Sequence, residues 1–197
     1  MNFRPLVTLV IVACLSASAL AQVDPAQAKH SDEIVRKVQE IEIYNQILPV
    51  LITPKQADEL LTVLEKGRAE MKRHNDKEYE MMKSFEVEID AALKKARDRG
   101  QIPTEDFMAR MLNMFRAFNM MRKAIIDGIV ADLQAELNQT LNEGQIAAAA
   151  KAFNPRFFDP TLDPKTMTID QRLELWIRVI LIDPVAYDVM KRIALGR

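Results

Sequence analysis

Chemically reactive side chains are scarce in this chain, which has one cysteine, two histidines and five glycines in 197 residues. Each shortage removes a class of function. The only cysteine, Cys14, lies in the N-terminal apolar stretch, so residues 22–197 hold no thiol for a disulfide, a thiolate metal site or cysteine catalysis. Past residue 21 the only serines are Ser31 and Ser84, and with His30 and His74 they give almost no raw material for a Ser-His-acid triad. His30 falls in a linker and His74 among charged neighbours, so both read as surface residues. The scattered glycines make no phosphate-cradling loop. Zinc hydrolysis lacks its H-E-x-x-H, and Glu70 with His74 has a spacing of four where a di-iron bundle needs three, in duplicate. Acid pairs such as Glu86 and Asp90 read as the wet face of a helix. Charge of one sign is also missing. The formal net charge is −1, or −2 once Arg4 is removed with residues 1–21, which gives no reason to expect nucleic acid or an anionic membrane. Beyond the N-terminus no apolar run is long. Leu173 to Ile182 is broken by Glu174 and Arg178 and falls well short of the roughly 20 residues that span a bilayer, so no transmembrane helix is expected after signal cleavage.

The first 21 residues carry an address. Arg4 is the only charge before Asp24, Leu6 to Leu15 is apolar apart from Thr8, and Ala19-Leu20-Ala21 precedes polar Gln22. A basic start, an apolar core and an A-x-A triplet predict an export signal cleaved after Ala21, hence a periplasmic or secreted protein. Ile11-Val12-Ala13-Cys14 offers a second processing route, because it loosely resembles a lipobox whose cysteine is lipidated.

The remaining chain reads as all-α. Val23 to Lys29 is a small polar linker. Ser31, followed by Asp32 and Glu33, is placed to cap a first helix, on which Ile34, Val38, Ile41, Tyr44 and Leu48 form one apolar stripe up to Pro49. Thr53-Pro54-x-Gln56 opens a second helix with a cap, a proline at the first position and a Gln reaching back. Leu60, Leu64, Met71, Met82, Phe85, Ile89, Leu93 and Ala96 keep its phase through Gly67 and the polar run Lys72 to Glu80, which reads as solvated, until Gly100 stops it. Such a helix over 54–99 is about 69 Å long. Thr104 caps a third helix with Phe107, Met108, Met111, Leu112, Phe115, Phe118, Met121, Ile125, Ile129, Leu133 and Leu137 in phase. The short Gly100–Pro103 turn makes an antiparallel, coiled-coil-like αα-hairpin the natural arrangement. A shorter Ala-rich helix ends near Phe153, a loop with Pro155, Pro160 and Pro164 follows, and two helices start at Thr168 and Asp183-Pro184. The expected organisation is signal 1–21, linker 22–30, helical domain 31–153, Pro-rich loop 154–168 and C-terminal helical pair 169–197.

Three helices start alike: Ile52-Thr53-x-x-Gln56, Leu141-Asn142-x-x-Gln145 and Met167-Thr168-x-x-Gln171. The plain function of such a box is capping, worth about 0.5–2 kcal/mol each. In an exported, Met-rich, disulfide-free helical chain, the set also resembles the LTxxQ-type Spy/CpxP-like periplasmic family. Thr53 with Gln56 and Thr168 with Gln171 match, with Ile52 and Met167 in place of Leu, and Asn142 with Gln145 matches more loosely. The resemblance implies a thin helical protein, often a homodimer, with ATP-independent chaperone or envelope-stress roles and no cofactor. The Pro-rich segment and the Trp176 helices fall outside the family pattern.

The densest local anomaly is methionine. Met108, Met111, Met114, Met120 and Met121 follow one another closely, with Met71, Met81 and Met82 on the preceding helix. Thioethers suit core packing, an adaptable apolar binding face, or Cu(I). The leading expectation is a non-enzymatic protein that meets unfolded or partner polypeptides through Met108, Met111, Met114, Phe115, Phe118 and Met121. The alternatives are copper or zinc handling, and a structural module whose stripes close by self-association.

Overall fold

The structure, a computed structural model, describes residues 25–196. The expected signal, its cleavage site and Cys14 lie outside the described residues. Among those described, the chain forms six α-helices and no strand: α1 Pro25–Ile47, α2 Pro54–Arg99, α3 Glu105–Thr140, α4 Glu143–Ala152, α5 Ile169–Trp176 and α6 Pro184–Ala194. Short 3-10 turns cover Leu48–Val50 and Pro155–Phe157, and a π turn, Ile177–Leu181, follows α5 directly. No helix among the described residues is long and apolar enough to cross a membrane.

The first helix departs from expectation twice. It is already helical at Pro25, so Ser31 lies inside it instead of capping it, and residues 25–30 are not a linker. Ala26, Gln27, Ala28 and Lys29 are good helix formers and carry the helix upstream. Its stripe is real, but Ile34, Val38, Ile41 and Leu48 are exposed. The helix instead buries Ile43 and Ile47. Pro49 ends it, and Leu51 takes a left-handed backbone (φ 55°) that redirects the chain toward Thr53.

Packing divides the chain into two units. The first holds residues up to Leu61 and from Leu133 onward. Its core centres on Trp176, Ile177 and Leu181, wholly enclosed with Leu173, Val189 and Met190, and with Leu60, Leu133 and Leu137 from the long helices. Ala149 and Ala150, also buried, let α4 pack closely on α5. The π turn inserts a residue, with the Ile182 N–H donating to the Ile177 carbonyl five positions back, and the consecutive Leu175, Trp176 and Ile177 are all buried there. Helices α1 and α6 meet through polar side chains. Arg36 pairs with Asp188 at 3.1 Å, Gln39 donates to Asp183 at 2.8 Å, and Arg192 binds both Glu40 and the Tyr44 hydroxyl.

The second unit, Thr62–Asp132, is made of α2 and α3 alone. Gly100 takes φ 62°, and the Gly100 and Gln101 N–H groups turn back to the carbonyls of Ala96 and Lys95 to close α2. Ion pairs then set the register. Lys66 meets Asp132 at 2.9 Å, Arg122 meets Glu78, and Arg110 meets Glu88 at 2.6 Å, so partners retreat along α3 as α2 advances. This is the antiparallel hairpin. Gly67, which the stripe merely tolerated in sequence, has a packing reason: a Cβ there would lie 2.7 Å from Ile129 Cγ1.

That contact reverses the usual effect of replacing a helical glycine. Gly67→Ala should lower stability in the natural background, although alanine favours helix by about 1 kcal/mol. In an Ile129→Ala background, where the clashing atoms are gone, the same change should raise stability by about that amount. Urea unfolding of the four proteins measures it; a stabilising Gly67→Ala in the natural chain contradicts the close approach.

Candidate functional site

All three recurring boxes form. Thr53 N–H donates to Gln56 Oε1 at 2.9 Å while Gln56 N–H donates to Thr53 Oγ1 at 3.3 Å. Asn142 with Gln145, and Thr168 with Gln171, repeat the pattern. Two of the boxes also join, which no local pattern foretold. Gln56 Nε2 donates to Gln145 Oε1 (3.1 Å) and to the Thr140 carbonyl (2.7 Å); Gln145 Nε2 donates to Gln56 Oε1 (3.0 Å) and to the Leu51 carbonyl (2.9 Å). The arrangement is pseudo-symmetric, because Leu51 and Thr140 each stand two residues before their own cap. Each amide therefore caps its own helix and holds the chain entering the other. The starts of α2 and α4 are locked together within the first unit.

The Met/Phe residues occupy the second unit and separate into two sets. Met114 and Phe118 are buried between the helices at 6% and 5% exposure, so they belong to the hairpin's packing and not to an open binding face. Met108 and Phe115 are 53% and 45% exposed, Met121 is exposed, and Met111 is half-buried. Phe115 sits edge-on to Phe118, with centroids 6.1 Å apart. Met108, Met111 and Phe115 line an open groove of about 390 Å³ with Leu112 and Phe107 on α3 and with Ile89, Leu93 and Ala96 on α2. Leu112, Ile89 and Leu93 were visible in sequence as stripe members but were not singled out. Nothing in an α-helical stripe says which of its members a neighbouring helix leaves uncovered. The boxes and this groove lie in different units.

The polar run of α2 is not wholly solvated, and His74 is not a surface residue. Glu78 is 2% exposed, its Oε1 lies 2.7 Å from the largely buried His74 Nε2, and Arg122 donates to its other oxygen from α3. That last bond brings a compensating charge to a carboxylate taken out of water. The signal was helical phase: His74 and Glu78 continue the line of Gly67 and Met71, so they face α3 although they are polar. In a separate cleft lined by Glu88, Lys95 and Thr104, Arg110 binds Glu88 and Asp106 and lies over the Phe85 ring at 5.8 Å. The hydrogen bond from Arg110 holds the Glu88 carboxyl below its ordinary value. With the folded-state value the lower one, this pair supports the fold above the usual glutamate range, about 4.3, and its support is lost as pH falls past it. Among the described residues, no three His, Cys, Asp or Glu side chains converge to hold a metal ion.

No family model, curated protein or solved structure matches this chain.

The paired amides make a sharp prediction. Gln56→Ala and Gln145→Ala should each cost about 1–2 kcal/mol, because each strands partners on both boxes. The double variant should cost less than the sum by about 1 kcal/mol. Strict additivity in chemical unfolding contradicts the cross-pairing.

Proposed function

We propose that this is an exported, non-enzymatic helical protein that holds unfolded or partner polypeptides against the apolar groove of Thr62–Asp132. Its kind is that of the Spy/CpxP-like periplasmic chaperones and envelope-stress proteins its helix starts resemble. The observation that carries the reading is the groove of Met108, Met111, Leu112 and Phe115 against Ile89 and Leu93. Two helices cover only one side of each other, and this unit holds no third element among the described residues. The uncovered side is therefore built for something outside the unit.

The chemistry of the groove suits an apolar, sequence-tolerant ligand. Methionine is flexible and polarisable, so it repacks around differently shaped side chains. Burial of such surface returns about 25 cal/mol per Å², less the cost of ordering the bound chain, which gives weak and reversible binding without an energy source. The groove lining carries no charged side chain, so it offers a client apolar contact alone. The periplasmic or secreted location rests on residues 1–21, and the absence of catalysis on the scarcity of nucleophiles.

Light scattering from an aggregating unfolded protein tests this. The natural protein should suppress the signal, and the triple change Met108→Ser, Leu112→Ser and Phe115→Ser should abolish suppression while far-UV circular dichroism stays unchanged, because none of the three is in the buried core. Phe118 is unsuitable for this test, since its replacement would damage the packing. Full suppression by the triple variant, or none by the natural protein, overturns the reading.

A further inference from the structure

The outward face of α1 carries a second, independent surface. Ile34, Val35, Val38, Ile41 and Leu48 are all exposed, with Ile41 at 60% and Val35 at 63%. Five exposed apolar side chains within 15 residues are costly unless something covers them. Their spacing is that of a coiled-coil seam. With Val38 at an a position, Ile34 and Ile41 fall at d and Asn45, also exposed, at the next a, while Leu48 lies just past the end of α1 in the 3-10 turn. The opposite side of α1 is already engaged: Arg36, Gln39 and Glu40 bind α6, while Ile43 and Ile47 enter the core.

We propose that this face joins a second copy of the chain as a short, parallel, two-stranded coiled coil. Three observations choose that occupant. Lys37 and Glu42 flank the seam at g and e, both exposed, and in a parallel in-register pair each Lys37 faces Glu42 of the other copy, twice by symmetry. A lone Asn at an a position pairs with itself across such an axis and fixes register and strand number, against the higher-order preference that Ile34 and Ile41 at d would give alone. Finally, α1 is already held helical by the core and by α6, so a seam of about two heptads need not supply the cost of forming the helix. The surface lies on the first unit and does not use the Met/Phe groove, so dimerisation and polypeptide binding are separable.

Sedimentation equilibrium of the purified protein should show a dimer. Ile34→Lys with Ile41→Lys should give a monomer of unchanged helicity that still suppresses aggregation, because both side chains are exposed. Lys37→Glu should weaken the dimer about tenfold, and adding Glu42→Lys should restore it. Val38→Cys should oxidise to a covalent dimer, as a residue facing its own copy across a parallel seam. A natural protein that stays monomeric, whether through cover by residues 1–24 or for want of a partner, overturns the proposal. So does a dimer indifferent to Ile34→Lys and Ile41→Lys, a charge swap that restores nothing, or a Val38→Cys variant that fails to cross-link.

Discussion

Two α-helices that pack only on each other cannot bury more than one side apiece, and this limit governs the second unit. Met114, Phe118, Ile125 and Ile129 are buried where α3 faces α2, while Met108, Leu112, Phe115 and Met121 are left in contact with water. The chain does not relieve this with a third helix among its described residues. It spends polar interactions on keeping the two helices in register instead: Lys66 with Asp132, Glu78 with Arg122, and Glu88 with Arg110. Only the Glu78 group is buried, and a buried charge without its partner costs several kcal/mol. A shifted register would strand Glu78, so that residue specifies alignment more than it adds stability.

The first unit solves the complementary problem of where helices begin. A capping side chain fixes one helix start by satisfying donors that the helix cannot. Here Gln56 and Gln145 reach past their own boxes to each other and to the incoming backbone of the opposite box. The resulting ring of hydrogen bonds fixes the phase of α2 at its first turn.

Local signals were readable and lateral ones were not. The start of α2 at Pro54, its end at Gly100, the three capping boxes and the start of α6 all follow from residues within four positions of each other, and all are present. Apolar phase found the stripes but not their fate. Ile34, Val38 and Ile41 are as regular as Leu133 and Leu137, yet the first set is exposed and the second buried, because burial depends on what else reaches that side. Composition misled at His74 and Glu78, where a polar run suggested water although the phase pointed inward. Ser31 misled in the other direction: a good cap is ignored when alanine, glutamine and lysine upstream extend the helix. The Gln56–Gln145 contact spans 89 positions, a separation no pattern within a single helix encodes.

The central claim is that the sulfur-rich groove of α3 is the surface that takes up other polypeptides. Methyl-resolved NMR of protein labelled at the methionine methyl groups tests it most directly, since Met108 and Met111 line the groove while Met190 is fully enclosed in the first unit. On titration with an unfolded polypeptide, the Met108 and Met111 signals should shift or broaden in a saturable way and Met190 should stay unmoved. Signals from the groove that do not respond while the polypeptide binds, or a response centred on Met190, would contradict the account.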